Sequence, residues 1–181
     1  MVAILLGQGF EESEAIVPAD LLRRAGVDVR LVGLEGRSVV GSHGITVQAD
    51  LTLSEVDPDE LEMLVLPGGL GGVAAIQNCL GALALIDQAY GRGVYLAAIC
   101  AAPTILARAG ILDRRSAVCY PGMEDEMGSA VVRKGASVVT DGHIITGRAA
   151  GSAFDFGLRL VATLRGDNAA EDVRSAVHYH C

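Results

Sequence analysis

The chain has 181 residues, 51% of them hydrophobic, with 23 glycines, no Trp, only 4% aromatics and a formal charge of −8. That length suits one domain, residues 1–181, around a sizeable and mostly aliphatic core. The acidic balance, with no basic cluster larger than a pair such as Arg23-Arg24 or Arg114-Arg115, argues against a nucleic-acid partner and against an anionic membrane surface, both of which need basic patches.

The opening MVAILLGQGFEE has no basic segment and too short an apolar run for a secretory signal. The apolar stretch Val94–Ala107 is broken by Pro103 and is too short to span a bilayer. The expectation is a soluble, cytoplasmic protein. Cys79, Cys100, Cys119 and Cys181 show no metal-ligand spacing, so a reducing compartment would keep them as free thiols.

In chain order, Val2–Leu6 reads as a buried strand, and GQG leads into a helix over Ser13–Ala25 with Ala15, Ile16, Ala19, Leu21 and Leu22 on its apolar side. VDVRLVG reads as a second strand. RSVVGSHGITVQA reads as a hairpin turning near Ser42–Gly44. EMLVLPGG is a buried strand ending in a turn, followed by helices over Gly72–Asn78 and Gly81–Arg92. GVYLAAIC is the next strand and APTILARAG the helix after it. Short strands are predicted near Ala117–Tyr120, Val131–Val132, Ser137–Thr140 and Ile144–Thr146, and helices over Ser152–Leu164 and Ala169–His178. Alternating strands and helices predict an α/β fold with a mainly parallel sheet. In such sheets the ligand site lies beyond the carboxyl ends of the strands, where GQGFEESE, LPGGLGG and CAAP should meet.

Each of these stretches has a bland reading and a chemical one. GQG could start a dinucleotide loop, but Glu12 stands where the third glycine of GxGxxG belongs and Glu11 stands beside it, so two carboxylates would repel a pyrophosphate. Glu11 and Glu12 read instead as complements to the helix dipole. Glu14 lies on another side of the helix and can reach the strand ends. In LPGGLGG, Pro67 stops the strand, while Gly68 and Gly69 permit a turn that aims backbone N–H groups outward. In AAICAAP, Cys100 sits between small residues after a strand and before a helix, which is the arrangement of a nucleophile elbow, with Ala98 and Ala102 in place of the usual glycines. A helix start also lowers a thiol's pKa. The competing reading is a buried cysteine acting as a small hydrophobe.

Together, EESEAIVPADLLRRAG, VLPGG, AAICAAPTILA and DGHIITGRAAGSAFDFGL, in this order, resemble the ThiJ/PfpI family, and within it the branch of the Parkinson-associated protein deglycase. The resemblance implies a flavodoxin-like three-layer sandwich, similar to class I glutamine amidotransferases, that forms a homodimer. It implies that Cys100 is the reactive cysteine and that Glu14 hydrogen-bonds its sulfur. Gly69 and Ala101 match the residues whose backbone N–H groups would form an oxyanion hole. Gly68, Tyr120, Ala149, Ala150 and His43 fall where relatives build the pocket. No metal and no organic cofactor is implied.

The sequence departs from the family in three places, one of them the GRAAGSA loop, which lacks the proline of the similar GPG-type stretch. Many members of the branch carry a histidine before the proline where this chain has Tyr120 before Pro121, and tyrosine is a poor base at neutral pH. The protease-like branch carries histidine directly after the cysteine, where this chain has Ala101, so a Cys-His dyad has no support. The function implied is a cofactor-free, glutathione-independent glyoxalase or protein deglycase acting on small 2-oxoaldehydes such as methylglyoxal and their adducts. The alternative is a redox-sensing stress-response protein or chaperone working through oxidation of Cys100. A binding protein that keeps the fold without the chemistry is a third class. Cys119, next to Tyr120, reads as an inert strand cysteine rather than a resolving thiol.

Overall fold

The computed structural model describes residues 1–180; Cys181, expected as a free thiol, lies outside them. The apolar runs pair as a seven-stranded sheet. Its strands are β1 (Val2–Leu6), β2 (Val29–Gly33), β5 (Leu51–Thr52), β6 (Met63–Leu66), β7 (Tyr95–Ile99), β10 (Val138–Asp141) and β11 (Ile144–Gly147), in the order β10-β11-β7-β6-β1-β2-β5. All neighbours run parallel except β10 against β11. A hairpin of β3 (Ser38–Val40) and β4 (Thr46–Gln48) and a short parallel pair of β8 (Ser116–Ala117) and β9 (Val131–Val132) stand apart from it.

Because side chains alternate across a strand, the sheet divides the core in two. Ala3 and Leu5 of β1 face a cluster shared with α2 (Leu70–Gln77), α3 (Leu80–Gly91) and α4 (Pro103–Arg108). Val2, Ile4 and Leu6 face a cluster shared with α1 (Glu12–Arg24), α5 (Ala153–Arg165) and α6 (Asp167–Ala176). Every residue of β1 is buried, which is why it reads as a continuous apolar run rather than an alternation. The result is the flavodoxin-like three-layer sandwich of the class I glutamine amidotransferase type. Among the described residues, no single helix is long and apolar enough to cross a membrane; α2 and α3 together reach the length, but they are bent by 83° and carry core residues on one side.

The elements fall where the sequence puts them, with three differences. The strand expected over Ala117–Tyr120 covers only Ser116–Ala117, because the chain then bonds elsewhere: Val118 N–H donates to the buried Thr146 hydroxyl at 2.9 Å and Tyr120 N–H to the Cys100 carbonyl at 2.8 Å. Leu51–Thr52 and the 3₁₀ turns at Leu53–Glu55, Pro58–Glu60, Glu124–Glu126 and Ala150–Ser152 were not expected; segments this short carry no periodicity. Ile16, expected on the core side of α1, is 39% exposed.

From the first strand the chain steps to β2 on one side, and later to β6 on the other. This reversal of strand order opens a crevice at the carboxyl ends. The loops after β1, β6 and β7 meet there.

Candidate active site

The β7 strand delivers Cys100 into this crevice. Ala98 and Ala102, on either side, are fully buried. Cys100 has φ +66°, a left-handed conformation that costs a non-glycine residue about 1–3 kcal/mol. Both its backbone groups are pinned: its N–H donates to the Gly147 carbonyl of β11 at 3.0 Å, and its carbonyl accepts from Tyr120 N–H at 2.8 Å. Those two anchors hold the strained turn, and Thr146 holds the second of them in place through Val118.

From α1, Glu14 reaches the same point and is fully buried. Its Oε2 accepts from Gly68 N–H at 2.9 Å. Among the described residues its Oε1 meets no donor at full hydrogen-bond geometry, and the carboxyl's remaining partner there is the Cys100 thiol. Gly68 is a steric requirement, since a Cβ there would stand 2.7 Å from the Cys100 Cβ and overlap Glu14 Oε2. Gly69, at φ +83°, is required twice over, because a Cβ there would also press to 2.5 Å on the Gly9 carbonyl. This turn brings the Gly69 N–H, together with that of Ala101, onto the Cys100 sulfur.

The electrostatics differ from the sequence expectation. Burial pushes the Glu14 carboxyl up to about 7, against the lowering pull of the Cys100 and Gly68 hydrogen bonds. Burial also pushes the Cys100 thiol up to about 12; the Glu14 charge adds to this, and the Ala101 and Gly69 N–H groups oppose it. A lowered thiol pKa, expected from the helix start alone, is therefore corrected. The helix that follows has six residues, and desolvation beside a carboxyl outweighs its end. Burial thus disfavours a charge on either member of the pair, and the two groups face each other in one water-poor volume.

Gly68 lies buried behind this pair. Cys100, Glu14, Gly69, Ala101, Tyr120, Ala149, Ala150 and His43 all line one cleft of about 840 Å³, within the size of small-molecule pockets, roughly 300–1,000 Å³. Leu70 and Met123 also line it; nothing in the sequence singles them out, since neither residue type nor spacing sets them apart from ordinary apolar positions. The other histidines sit in exposed positions, with the His143 ring 4.9 Å from that of Tyr95. Cys79, Cys100 and Cys119 are free thiols. Cys119 is buried and packs in the cluster on the other side of the sheet from the one Cys100 packs against. It lies outside any strand.

Glu12 also departs from expectation. It is buried, and it holds the tip of the β3–β4 hairpin rather than simply facing the helix dipole. Its Oε1 accepts from His43 N–H at 2.8 Å and Ile45 N–H at 3.4 Å; its Oε2 lies 3.0 Å from His43 Nδ1 and 3.2 Å from the Ser42 hydroxyl. Burial works to raise this carboxyl, but those hydrogen bonds outweigh it and hold it at about 2. The same contact raises the His43 pKa. Glu11, Glu12 and His43 bring their ligand atoms within 4.8 Å of one another. Both Glu12 oxygens are already engaged by the hairpin, so the trio is a clasp before it is a cation site.

The DJ-1/PfpI family model matches residues 1–163. The chain is 38% identical over 179 residues to the protein dj-1beta of Drosophila melanogaster, covering 94% of this chain and 92% of that one. It is 35% identical over 165 residues to a Pyrococcus abyssi protein named a deglycase, covering 91% and 99%. Among solved structures, a DJ-1 superfamily protein of Salmonella typhimurium, crystallised as a cysteine-to-alanine mutant, matches with a TM-score of 0.94 at 36% identity, covering 99% of this chain and 98% of that one.

Proposed function

The chain belongs to the DJ-1/PfpI family, and we propose that it is a cofactor-free, cysteine-dependent glyoxalase or deglycase acting on small 2-oxoaldehydes and their adducts. Relatives named deglycase support that class of chemistry at the level of the family. The single observation that carries the proposal for this chain is the fully buried Glu14 carboxyl set against a thiol on a positive-φ turn, with two backbone N–H groups beside it. The proposal extends to one domain over residues 1–181, acting as a cytoplasmic homodimer, as the family resemblance implies.

In this reading, Glu14 carboxylate takes the Cys100 proton as Sγ bonds to the aldehyde carbon. The carbonyl electron pair moves onto oxygen, where the Gly69 and Ala101 N–H groups stabilise the alkoxide. Glu14 passes its proton to that oxygen, which gives a hemithioacetal and leaves Glu14 a carboxylate again. Glu14 then takes the proton from the former aldehyde carbon, and the adjacent ketone carbon is protonated by way of an enediol. The first carbon is oxidised to a thioester and the second reduced to a carbinol, so no external oxidant or reductant enters. Water cleaves the carbon–sulfur bond, releasing a 2-hydroxy acid and restoring the thiol. None of these steps needs the histidine that Tyr120 replaces.

The test is direct measurement of lactate from methylglyoxal, without glutathione, by the wild type and by Cys100→Ser. Turnover by the wild type and its loss in the variant is the expected result. Folded wild-type protein that forms no lactate overturns the reading and favours sensing through oxidation of Cys100.

A further inference from the structure

Among the described residues the buried polar side chains are Glu12, Glu14, Thr104, Thr146 and Ser152. The Thr104 hydroxyl donates to the Ala101 carbonyl three residues earlier, an ordinary local bond at the start of a helix. Thr146 bonds far along the chain instead. It stands in β11 with Ile144, Ile145 and Gly147, all of them buried. A valine would fill the same space with no polar atom to satisfy. Its hydroxyl accepts from Val118 N–H at 2.9 Å, 28 residues earlier.

Two routes lead from β11 to Cys100. The direct one is the Gly147 carbonyl, which accepts from Cys100 N–H at 3.0 Å. The other passes through the side chain: Thr146 holds Val118, and two residues on, Tyr120 N–H donates to the Cys100 carbonyl at 2.8 Å. Residues 118–120 lie outside any strand, and β8 pairs with β9 only over Ser116–Ala117, so no ladder aligns this segment. The register of β11 on β7 sets Thr146 beside Ala98 and Gly147 beside Ile99, which brings both routes to the residue that follows. Thr146 and Val118 are 1% and 2% exposed, so neither a second copy of the chain nor a molecule in the cleft reaches them.

We infer that Thr146 is a positioning residue: its hydroxyl keeps Cys100 in the left-handed conformation that sets the sulfur against Glu14 and the Gly69 and Ala101 N–H groups. The inference deepens the function proposed above and rests on it for the effect on turnover, while its geometric part stands alone. A non-glycine residue at φ +66° persists only while its surroundings fix it. Without the hydroxyl, Val118 N–H is buried with no acceptor. The segment then shifts towards another partner and releases the Cys100 carbonyl. The peptide relaxes, and the sulfur moves off the carboxyl and the two amides. The cleft that receives the substrate is untouched, so the loss falls on kcat rather than on KM.

The experiment compares Thr146→Val, which keeps the shape and removes the hydroxyl, with Thr146→Ser, which keeps the hydroxyl and removes a methyl. Lactate formation from methylglyoxal gives kcat and KM. Amide hydrogen exchange follows Tyr120, with β1 as the gauge of an intact fold, and a crystal structure of each variant gives the Cys100 φ. In Thr146→Val, kcat should fall about tenfold or more, with KM within about twofold of the wild type. Tyr120 exchange should quicken about tenfold or more while β1 is unchanged, and Cys100 should leave positive φ. Thr146→Ser should restore all three. A general loss of packing would instead follow the missing methyl and impair Thr146→Ser. An unchanged kcat, a serine variant as impaired as the valine one, or Cys100 still at positive φ with Tyr120 protected in Thr146→Val overturns the inference. Should Thr146→Val not fold, Thr146→Cys, whose sulfur is a weak acceptor, takes its place under the same readings. A wild type that forms no lactate removes the glyoxalase reading, and the φ and exchange results then decide the positioning role alone.

Discussion

A single backbone angle carries much of the site's chemistry. Cys100 stays at φ +66° because β11 and the Tyr120 segment bond both of its peptide groups. Gly68 then allows a carboxyl and a thiol to share one small volume. Gly68→Ala is expected to separate them: the added methyl would displace the Cys100 Cβ or Glu14. Lactate formation should fall by about tenfold or more, since misplacing a reacting group by about an ångström is that costly. A crystal structure with the pair in place and full activity would contradict the steric account. Cys100 and Glu14 were legible in the sequence because small residues flank the thiol and the glutamate, two residues after Glu12, points away from it on the helix. Thr146 was not. A threonine in an apolar strand gives no sign that its hydroxyl fixes a segment 28 residues earlier in the chain.

At the scale of elements, the N-cap and first turn of α1 place three carboxylates in three environments. Glu11 faces the cleft, Glu12 grips the hairpin, and Glu14 meets the thiol. The hairpin is otherwise tied to the loop after β1 by Gly9 N–H to the Val40 carbonyl, Ser42 N–H to the Phe10 carbonyl and Val40 N–H to the Gln8 side chain. Removing the clasp with Glu12→Ala leaves the His43 and Ile45 amides without their acceptor, a loss of about 1–3 kcal/mol. Amide hydrogen exchange at those two residues should quicken roughly tenfold or more, with β1 unchanged. Protection unaltered in the variant would mean that the backbone ties alone hold the hairpin. The hairpin's existence was legible from its alternation and turn residues. Its anchor was not, because a glutamate in a helix's first turn is satisfied by the dipole in most proteins and only the fold brings the loop across it.

Across the whole molecule, the reversal of strand order beside β1 brings the three loops together, and the two apolar clusters on either side of the sheet make that convergence rigid. The buried strands were legible as unbroken apolar runs, and the helices between them as amphipathic or capped segments. The charge state of the centre was not. Motif spacing predicts a helix end near a sulfur, but only the fold reveals how far water is excluded from both members of the pair. That exclusion raises Glu14 to about 7, and it follows that the carboxyl works as the base for Cys100 only once it has lost its proton. The decisive measurement is kcat/KM for lactate formation from methylglyoxal as a function of pH, for the wild type and for Glu14→Gln. The wild type should show activity rising with pH through an inflection near 7, and Glu14→Gln should lose that inflection and about 100-fold or more of the rate. An inflection that survives Glu14→Gln, or a rate indifferent to it, would contradict the account.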